Sequence, residues 1–521
     1  MAFRPARWRW WGWLAAGLGC GVLIGLSVPP FGWWPLAWLG FAGLALLLRG
    51  RPVRARAALG SATGVGQYGL GLWWVHEFSI PGWIALIVIS ALFTTVAIML
   101  VPTTRRRGVA VGLPAAFMLA DWARDRYPIG GFPLDGIALG QAGSPLAPVL
   151  RLGGSLLLTG VTVLAGVTIA ELGQAARSWL AARPARISDV AGRRNAWRST
   201  GAAAGLAGLL LAISAGAAWS PSGAGGHLLP LRVALVQGGG PRGTRAIFTD
   251  PQVVFERHLA ASDVLSPPFD LVVWPEGVLQ SHIPFTTTED ASEVASMAQF
   301  LHATVLVGVE QDVGVSHYLN EVVAWAPDGQ IVDTYVKNHL VPFGEYVPDR
   351  SLVERFFNLA DVPYDAIPGH GPGILRTPAG PIGVMISYEV FFDGRARGAV
   401  RAGGQILVVP TNTASYRSTE VPTQELAAAR LRAWETGRWV LQVTPTGYTA
   451  VIDPTGRVLQ RTALDEQQVL TATVPREDGR TVYVNIGDAP IAIAAALLVG
   501  LAWLLAPAGI RRTRRGPKPS S

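Results

Sequence analysis

The chain has 521 residues, of which only 15% are charged and 50% are hydrophobic, a balance typical of membrane proteins. Cys20 is the single cysteine, which excludes an internal disulfide framework. The formal net charge of +8 raises the question of nucleic-acid binding. However, the basic residues cluster between apolar runs, where membrane topology and anionic lipid account for them, so we predict no nucleic-acid partner.

Eight apolar runs approach the length of about 20 residues at which a helix spans a bilayer. They lie near residues 11–28, 33–48, 57–75, 82–101, 108–121, 152–171, 202–219 and 490–509. We predict a membrane domain of about seven helices at residues 1–219. A last membrane helix and a basic cytoplasmic tail are predicted at residues 489–521.

Basic residues alternate from one side of these runs to the other. Short cytoplasmic loops retain Lys and Arg. One set of loops and termini holds 21 basic residues, whereas the opposite loops hold only Arg124, Arg126 and Arg151. We therefore predict that both termini are cytoplasmic and that the segment 220–488 is an extracytoplasmic domain. Because Cys20 lies in the first apolar run, that domain contains no thiol.

From Leu231 onwards the pattern changes to short β-branched runs bounded by turn residues, which is typical of strands. The turns APDGQ at 326–330 and DPTGR at 453–457 predict two hairpins. Three stretches have helical spacing instead: FERHLAASDVL, ASEVASMAQFLHA and TQELAAARLRAWETGR. Strands with intervening helices over this length predict one layered α/β domain.

Several ionisable or polar side chains follow buried strands, which is where open α/β sheets place their binding sites. Trp274 and Pro275 directly precede Glu276 and predict a dry, rigid setting that suits a carboxyl group to proton transfer. A single charged residue at a strand end is nevertheless most often solvated. The candidates are Glu276 in VVWPEG, Lys337 and Glu345 in TYVKNHLVPFGEYVP, Ser387, Tyr388 and Glu389 at the end of the predicted strand GVMISYE, and Asn412 in VVPTNTASY.

The order and spacing of three motifs, W-P-E, K-N-x-L-V-P-F-G-E-Y-V-P and x-Y-E, resemble the Glu-Lys-Cys constellation of the nitrilase (carbon-nitrogen hydrolase) superfamily. The second motif, together with several membrane spans, resembles the apolipoprotein N-acyltransferase family in particular. Segments such as VPPFGWWPLAW, DWARDRYPIGGFP and LRAWETGRW extend the resemblance over nearly the whole chain. It implies an αββα sandwich of nitrilase type on a helical membrane platform.

The resemblance also implies a two-step acyl transfer at the cell membrane of a bacterium. A phospholipid would donate a fatty acyl chain to the enzyme. The acyl-enzyme would then acylate the α-amino group of the diacylglyceryl-cysteine that begins an apolipoprotein, the last step of lipoprotein maturation. The implied partners are therefore a phospholipid donor and a diacylglyceryl apolipoprotein acceptor. We predict no cofactor and no metal, since the eight histidines lack metal-binding spacing.

Roles for single residues follow from the resemblance as well. Glu276 would be the general base, Lys337 would stabilise the oxyanion, and position 387 would hold the nucleophile. Glu345 resembles a second carboxylate that orients the lysine and shares in proton transfer. Tyr388 and Glu389 resemble the residues that follow the nucleophile, and the Tyr388 backbone N–H would donate to the oxyanion.

The chain departs from the family pattern at the nucleophile, which is Cys in the family and Ser387 here. The family's N-D-A-W-F and Q-H-x-x-M appear as NTASY at 412–416 and QELAA at 424–428, and a Trp expected after the VQG strand is absent. A hydroxyl lacks the low pKa of a thiol and needs a positioned base. His339 is an alternative base, because two residues along a predicted strand would place it on the same face as Lys337.

Three functions are consistent with these residues. The first is a working acyltransferase that forms an oxyester at Ser387. The second is a catalytically silent relative that binds lipid or serves as a scaffold for another membrane enzyme. The third is an exported hydrolase, either an amidase-like enzyme or a glycosidase that uses Glu276 and Glu345.

Overall fold

The structure is a computed structural model that describes residues 6–104, 106–182, 190–226, 228–244, 246–355, 359 and 362–506. The first part of the chain is helical. Its helices are α1 (Ala6–Gly25), α2 (Pro35–Leu47), α3 (Val53–Gly71), α4 (Ile80–Leu100), α5 (Arg106–Arg124), α6 (Leu150–Ala182) and α7 (Val190–Trp219).

The second part of the chain is an α/β domain, followed by one long helix. The helices are α8 (Pro251–Ser262), α9 (Glu289–Leu301), α10 (Arg350–Val353), α11 (Asp393–Arg401), α12 (Glu420–Thr436), α13 (Val482–Ile486) and α14 (Asp488–Leu504). The strands are β1 (Leu231–Gln237), β2 (Leu271–Val273), β3 (Leu279–Ser281), β4 (Thr304–Val313), β5 (His317–Trp325), β6 (Ile331–Val336), β7 (Asp365–Ala366), β8 (Ile374–Thr377), β9 (Gly380–Val384), β10 (Ile406–Pro410), β11 (Val440–Val443), β12 (Ala450–Ile452), β13 (Val458–Arg461) and β14 (Gln468–Val474).

Two sheets form the centre of the α/β domain. The first has the strand order β14-β1-β2-β4-β5-β6, with β3 paired to β4 and β7 to β5. The second has the order β13-β12-β11-β10-β9-β8. Apolar side chains of both sheets share one core between them. Helices α8 and α9 cover the outer face of the first sheet, and α11 and α12 cover that of the second. The predicted αββα layering is confirmed.

Strand β1 shows why the central strands are apolar along their whole length. Val233 and Leu235 point into the core between the sheets, whereas Ala234 and Val236 point into the core beneath α8 and α9. Side chains of a strand alternate between its two faces. A strand that is covered on both faces therefore needs apolar residues at every position, as parallel sheets generally do.

Both predicted hairpins are confirmed. Strands β5 and β6 pair antiparallel across residues 326–330, and β12 and β13 pair antiparallel across residues 453–457. In the second turn the Asp453 carboxylate accepts hydrogen bonds from the backbone N–H groups of Thr455 and Arg457, at 2.8 and 3.1 Å. The sequence of the turn therefore fixes the register of the hairpin.

Each of the eight apolar runs overlaps a helix, namely α1 to α7 and α14. By length and composition, three described segments could cross a membrane: Ile80–Leu100, Ala147–Ala181 and Trp197–Trp219. Three shorter helices are also apolar: Trp11–Gly25, Pro35–Leu47 and Asp488–Leu504. Membrane-spanning helices are thus present among the described residues.

The helical part and the α/β domain are joined by a common hydrophobic cluster, to which α3, α6 and α12 all contribute. Gln424 of α12 adds three polar contacts. Its side-chain amide donates to the carbonyl oxygens of Gly71 and Pro29, at 3.1 and 3.4 Å, and accepts from the Asp135 N–H at 3.0 Å. Helix α12 is therefore held against the loops at one end of the helical part.

Candidate active site

A buried lysine lies between two carboxylates in the first sheet. The Lys337 side chain is 1% exposed, and its Nζ atom lies 2.8 Å from Glu276 Oε1 and 2.6 Å from Glu345 Oε1. The Asn320 amide donates to the same two oxygens, at 2.8 and 2.9 Å. Glu276 follows β2, Asn320 belongs to β5 and Lys337 follows β6. The sheet therefore brings together residues that are far apart in the sequence.

The charges of this cluster stabilise one another. Burial lowers the pKa of Lys337, but Glu276 and Glu345 outweigh burial and hold that pKa well above its usual value, so the ammonium stays protonated. Burial raises the pKa of Glu345, and Lys337 opposes that shift. Trp274 and Glu276 are both buried. The predicted dry setting is confirmed.

Lysine is rare in this protein. Of its 43 basic residues only Lys337 and Lys518 are lysines, and all the others are arginines. An ammonium is a compact point charge with three donors, whereas a guanidinium is a wide planar fork. Three donors within a narrow space match the oxygens of Glu276 and Glu345.

Ser387 occupies a strained turn. Strand β9 ends at Val384, so the predicted strand stops three residues earlier than its apolar pattern suggested, and Ser387 begins a 3₁₀ helix, Ser387–Phe391. Its φ is +48°, in the left-handed region that costs a non-glycine residue about 1 kcal/mol or more. Such strain concentrates at functional sites, where the surrounding structure holds one side chain in a required orientation.

Glu389 connects the Ser387 turn with the loop that carries Lys337. Its side chain is completely buried and accepts hydrogen bonds from the backbone N–H groups of Ile386, Asn338 and His339, at 2.9, 2.9 and 3.1 Å. The Tyr335 hydroxyl donates to the same carboxylate at 2.7 Å, and the Arg395 guanidinium lies 3.4 Å away. This geometry makes Glu389 a positioning residue.

Tyr388 faces the helical part. Its hydroxyl donates to the Gly131 carbonyl oxygen at 3.0 Å, and its ring packs edge-on against Phe392. As the second residue of a 3₁₀ helix, it carries one of the leading N–H groups that have no acceptor within the helix. The phenol therefore anchors the turn, while the backbone N–H is free of intrahelical bonding.

His339 does not lie where the sequence predicted it. Strand β6 ends at Val336, so Lys337 and His339 follow the strand and share no strand face, and that prediction is wrong. The His339 ring stacks on Phe392 with 4.2 Å between centroids, and burial lowers the pKa of His339. Its Nδ1 atom forms no hydrogen bond with any described residue.

Sequence reasoning missed Asn320 and Glu425. Glu425 lies on α12, is 2% exposed, and accepts a hydrogen bond from the Thr411 hydroxyl at 2.7 Å. Burial is the main cause that raises the pKa of Glu425 to about 8, and the Thr411 and Ser387 hydroxyls oppose that shift. The available signals were a polar residue inside an apolar strand for Asn320 and a carboxylate on the buried face of a helix for Glu425.

Two family models match separate parts of the chain. The apolipoprotein N-acyltransferase N-terminal domain matches residues 20–168, and the carbon-nitrogen hydrolase model matches residues 232–483. The first match lies in the helical part and the second covers most of the α/β domain. The nitrilase-like class predicted for that domain is confirmed.

Full-length relatives settle the family. An apolipoprotein N-acyltransferase of Azotobacter vinelandii is 31% identical over 529 residues, covering 96% of this chain and 96% of the relative. The chain belongs to the apolipoprotein N-acyltransferase family. A family member of Pseudomonas putida is 30% identical and covers 96% of this chain and 97% of its own. Among solved structures, an amidase from Nesterenkonia sp. is 19% identical with a TM-score of 0.37, covering 53% of this chain and 99% of the amidase.

Proposed function

We propose that this protein transfers a fatty acyl chain from a membrane phospholipid to the α-amino group of the diacylglyceryl-cysteine of apolipoproteins. Similarity over nearly the full length to relatives named apolipoprotein N-acyltransferase supports this function over a catalytically silent scaffold. The observation that carries the chemistry is the buried Lys337 ammonium, held between Glu276 and Glu345 and tied through Glu389 to the turn of Ser387.

The proposed reaction has two steps. The Ser387 Oγ atom attacks the ester carbonyl of the phospholipid, and lysophospholipid leaves. The Lys337 ammonium and the Tyr388 N–H stabilise the oxyanion of the tetrahedral intermediate, which is the largest contribution that such a site makes. The apolipoprotein amine then attacks the acyl-serine and Glu276, as general base, takes a proton from the amine. The bond between the carbonyl carbon and Ser387 Oγ breaks, and the serine oxygen recovers that proton from Glu276. Glu345 keeps the lysine in place.

The proposed topology places this chemistry at the membrane surface. Helices α1 to α7 within residues 1–219 and the helix within residues 489–521 would provide eight spans, with both termini in the cytoplasm. Residues 220–488 would lie outside the cytoplasm. The bias of basic residues between loops supports this orientation. So does the contact of Tyr388 with Gly131, because it sets the Ser387 turn against the loops of the helical part, where lipid substrates would arrive.

The function is tested with purified full-length protein in vesicles that contain a phospholipid with a radiolabelled acyl chain and a synthetic diacylglyceryl-cysteine peptide. We expect the label in amide linkage on the peptide, with Ser387→Ala reduced to background. Label released as free fatty acid regardless of the peptide would instead identify a hydrolase. A Ser387→Ala variant that matches wild type in cells would identify a scaffold.

A further inference from the structure

A second buried carboxyl group, that of Glu425, lies on α12, which packs against the 3₁₀ helix that begins with Ser387. The reaction proposed above does not use this group. Thr411 donates to Glu425 Oε1 at 2.7 Å. The Oε2 atom of Glu425 is buried and forms no hydrogen bond of ordinary geometry with any described residue. Helix α12 packs against the 3₁₀ helix Ser387–Phe391, and the Ser387 hydroxyl lowers the pKa of Glu425. Catalytic hydrogen bonds are often long or misaligned before substrate binds.

Ser387 and Glu425 both occupy positions at which the sequence departs from the motifs of the family that it resembles. Ser387 replaces the family's cysteine, and Glu425 occupies the histidine position of Q-H-x-x-M. A thiol is ionised easily, whereas a hydroxyl must pass its proton to a base during attack. A serine at the position of the cysteine therefore requires a general base, and a neighbouring carboxylate can serve as that base.

Glu276 is less suited than Glu425 to accept the proton of the Ser387 hydroxyl. Its Oε1 atom already accepts from the Lys337 ammonium at 2.8 Å and from the Asn320 amide at 2.8 Å. That oxygen is therefore already occupied by two donors, and the reaction scheme assigns Glu276 to the acceptor amine. The Glu425 carboxyl is opposed by no cation in direct contact among the described residues.

We propose that Glu425 is a further catalytic residue, the proton acceptor for the Ser387 hydroxyl during acyl-enzyme formation, with Glu276 kept for the acceptor amine. This inference rests on the proposed function. As the bond between Ser387 Oγ and the carbonyl carbon forms, the hydroxyl proton moves to Glu425 Oε2. The bond from the carbonyl carbon to the glycerol oxygen then breaks, and that oxygen takes the proton from Glu425. Lysophospholipid leaves as an alcohol, and Glu425 is ionised again.

The charges around Glu425 suit this role. Burial, with a smaller contribution from Glu276, raises the pKa of Glu425 to about 8, against the lowering effect of the Thr411 hydroxyl, the Lys337 ammonium and the Ser387 hydroxyl. The Tyr416 phenol also lies within electrostatic range. A general base is most effective when its pKa is near the working pH. Since only the ionised form accepts a proton, the rate of acylation should rise with pH through about 8.

The test is a double-mutant cycle between positions 387 and 425. Glu425→Gln is made in wild type and in Ser387→Cys, and the single-turnover rate of acyl-enzyme formation is followed by intact mass in vesicles of phosphatidylethanolamine. A general base contributes about 10²- to 10⁴-fold. We expect Glu425→Gln to slow acylation at least about 100-fold with serine and less than about 10-fold with cysteine, because a thiolate needs no such base.

The pH profile separates catalysis from structure. With Ser387 present, the rise through about pH 8 should disappear in Glu425→Gln and persist in Glu425→Asp, which retains a carboxylate. Glu420→Gln removes one charge from the start of the same helix and should leave both the rate and the profile unchanged. Activity of Ser387→Cys with Glu425→Gln shows that the substituted protein is folded.

Two results overturn the inference. Equal slowing by Glu425→Gln with serine and with cysteine would reduce Glu425 to a structural residue, as would equal losses in Glu425→Gln and Glu425→Asp. In either case the wild type would still form an acyl-enzyme, so the proposed function would stand. Absence of any acyl adduct in both wild type and Ser387→Cys would overturn the function and this inference together.

Discussion

Lys337→Met is expected to abolish acyl transfer and to destabilise the protein. The substitution removes the ammonium but leaves Glu276 and Glu345 buried, with Asn320 as their common donor. Breaking a buried ion pair by removal of one partner costs about 3–5 kcal/mol, because an uncompensated charge remains. Loss of the oxyanion cation should lower the acylation rate by about 10³-fold or more.

The pH dependence of this variant has a definite sign. Without the lysine, burial raises the pKa of Glu345 further above its value in the unfolded chain, because Lys337 no longer opposes that shift. A group of that kind contributes stability below its unfolded pKa and loses it as pH rises through the folded value. Thermal unfolding should therefore show that Lys337→Met loses more stability relative to wild type at pH 8 than at pH 5.

Lys337→Arg is the matched control for the charge. It keeps a cation between Glu276 and Glu345 and should lose less stability than Lys337→Met. Its wider guanidinium cannot reproduce the ammonium geometry, so acyl transfer should still fall strongly. Full activity in Lys337→Met, or equal stability of wild type and Lys337→Met at both pH values, would contradict the role given to this cluster.

Glu389→Ala is expected to have the second large effect. Its removal leaves the buried Ile386 N–H and Tyr335 hydroxyl, and the half-buried N–H groups of Asn338 and His339, without their acceptor. Each unsatisfied buried donor costs about 1–3 kcal/mol, so the free energy of unfolding should fall by several kcal/mol. The Ser387 turn would no longer be fixed relative to the lysine loop, and acylation should fall at least about 100-fold.

The control for this variant is Glu389→Gln, which keeps the shape and one acceptor oxygen. It should lose less stability than Glu389→Ala, because part of the hydrogen bonding survives. The comparison is made by thermal unfolding and by single-turnover acylation on the same preparations. If Glu389→Ala matched Glu389→Gln in both measurements, the five contacts of Glu389 would not be what holds the turn.

Much of the fold could be predicted from periodicity. Strands such as β1 and β10 are apolar on both faces, and the turns 326–330 and 453–457 carry the residues that tight hairpins require. The short strands β3 and β7 could not be predicted, since three and two residues show no period. They pair only because neighbouring strands offer an edge.

The candidate site was predicted in part. Glu276, Lys337 and Glu345 follow strands of one sheet, and the structure brings them into direct contact. The apolar run before Ser387 was predicted to remain extended, but a buried Glu389 draws the chain into a 3₁₀ turn by accepting from Ile386 N–H. Glu389 is held in its buried position by Asn338, His339 and Tyr335, which donate to it from a distant part of the chain, and the local sequence pattern cannot predict those contacts.

Glu425 is the clearest case of a candidate site residue that could not be predicted from the sequence. In the sequence it is one carboxylate in a helical stretch, and such residues are usually solvated. It approaches Ser387 only because α12 packs against the second sheet and Gln424 binds the loops of the helical part. The two residues are far apart along the chain, so only the fold shows that their departures from the family pattern are neighbours.

The proposed mechanism requires an acyl ester on the Ser387 oxygen as the intermediate between the phospholipid donor and the apolipoprotein acceptor. It is tested by incubating the full-length protein with phospholipid in the absence of acceptor and locating any acyl group by peptide mass spectrometry. We expect one fatty acyl ester on the peptide that contains Ser387, which hydroxylamine releases and which is transferred to the amine when the diacylglyceryl peptide is added. An acyl group on another residue, or turnover of both substrates with Ser387 never modified, would contradict it.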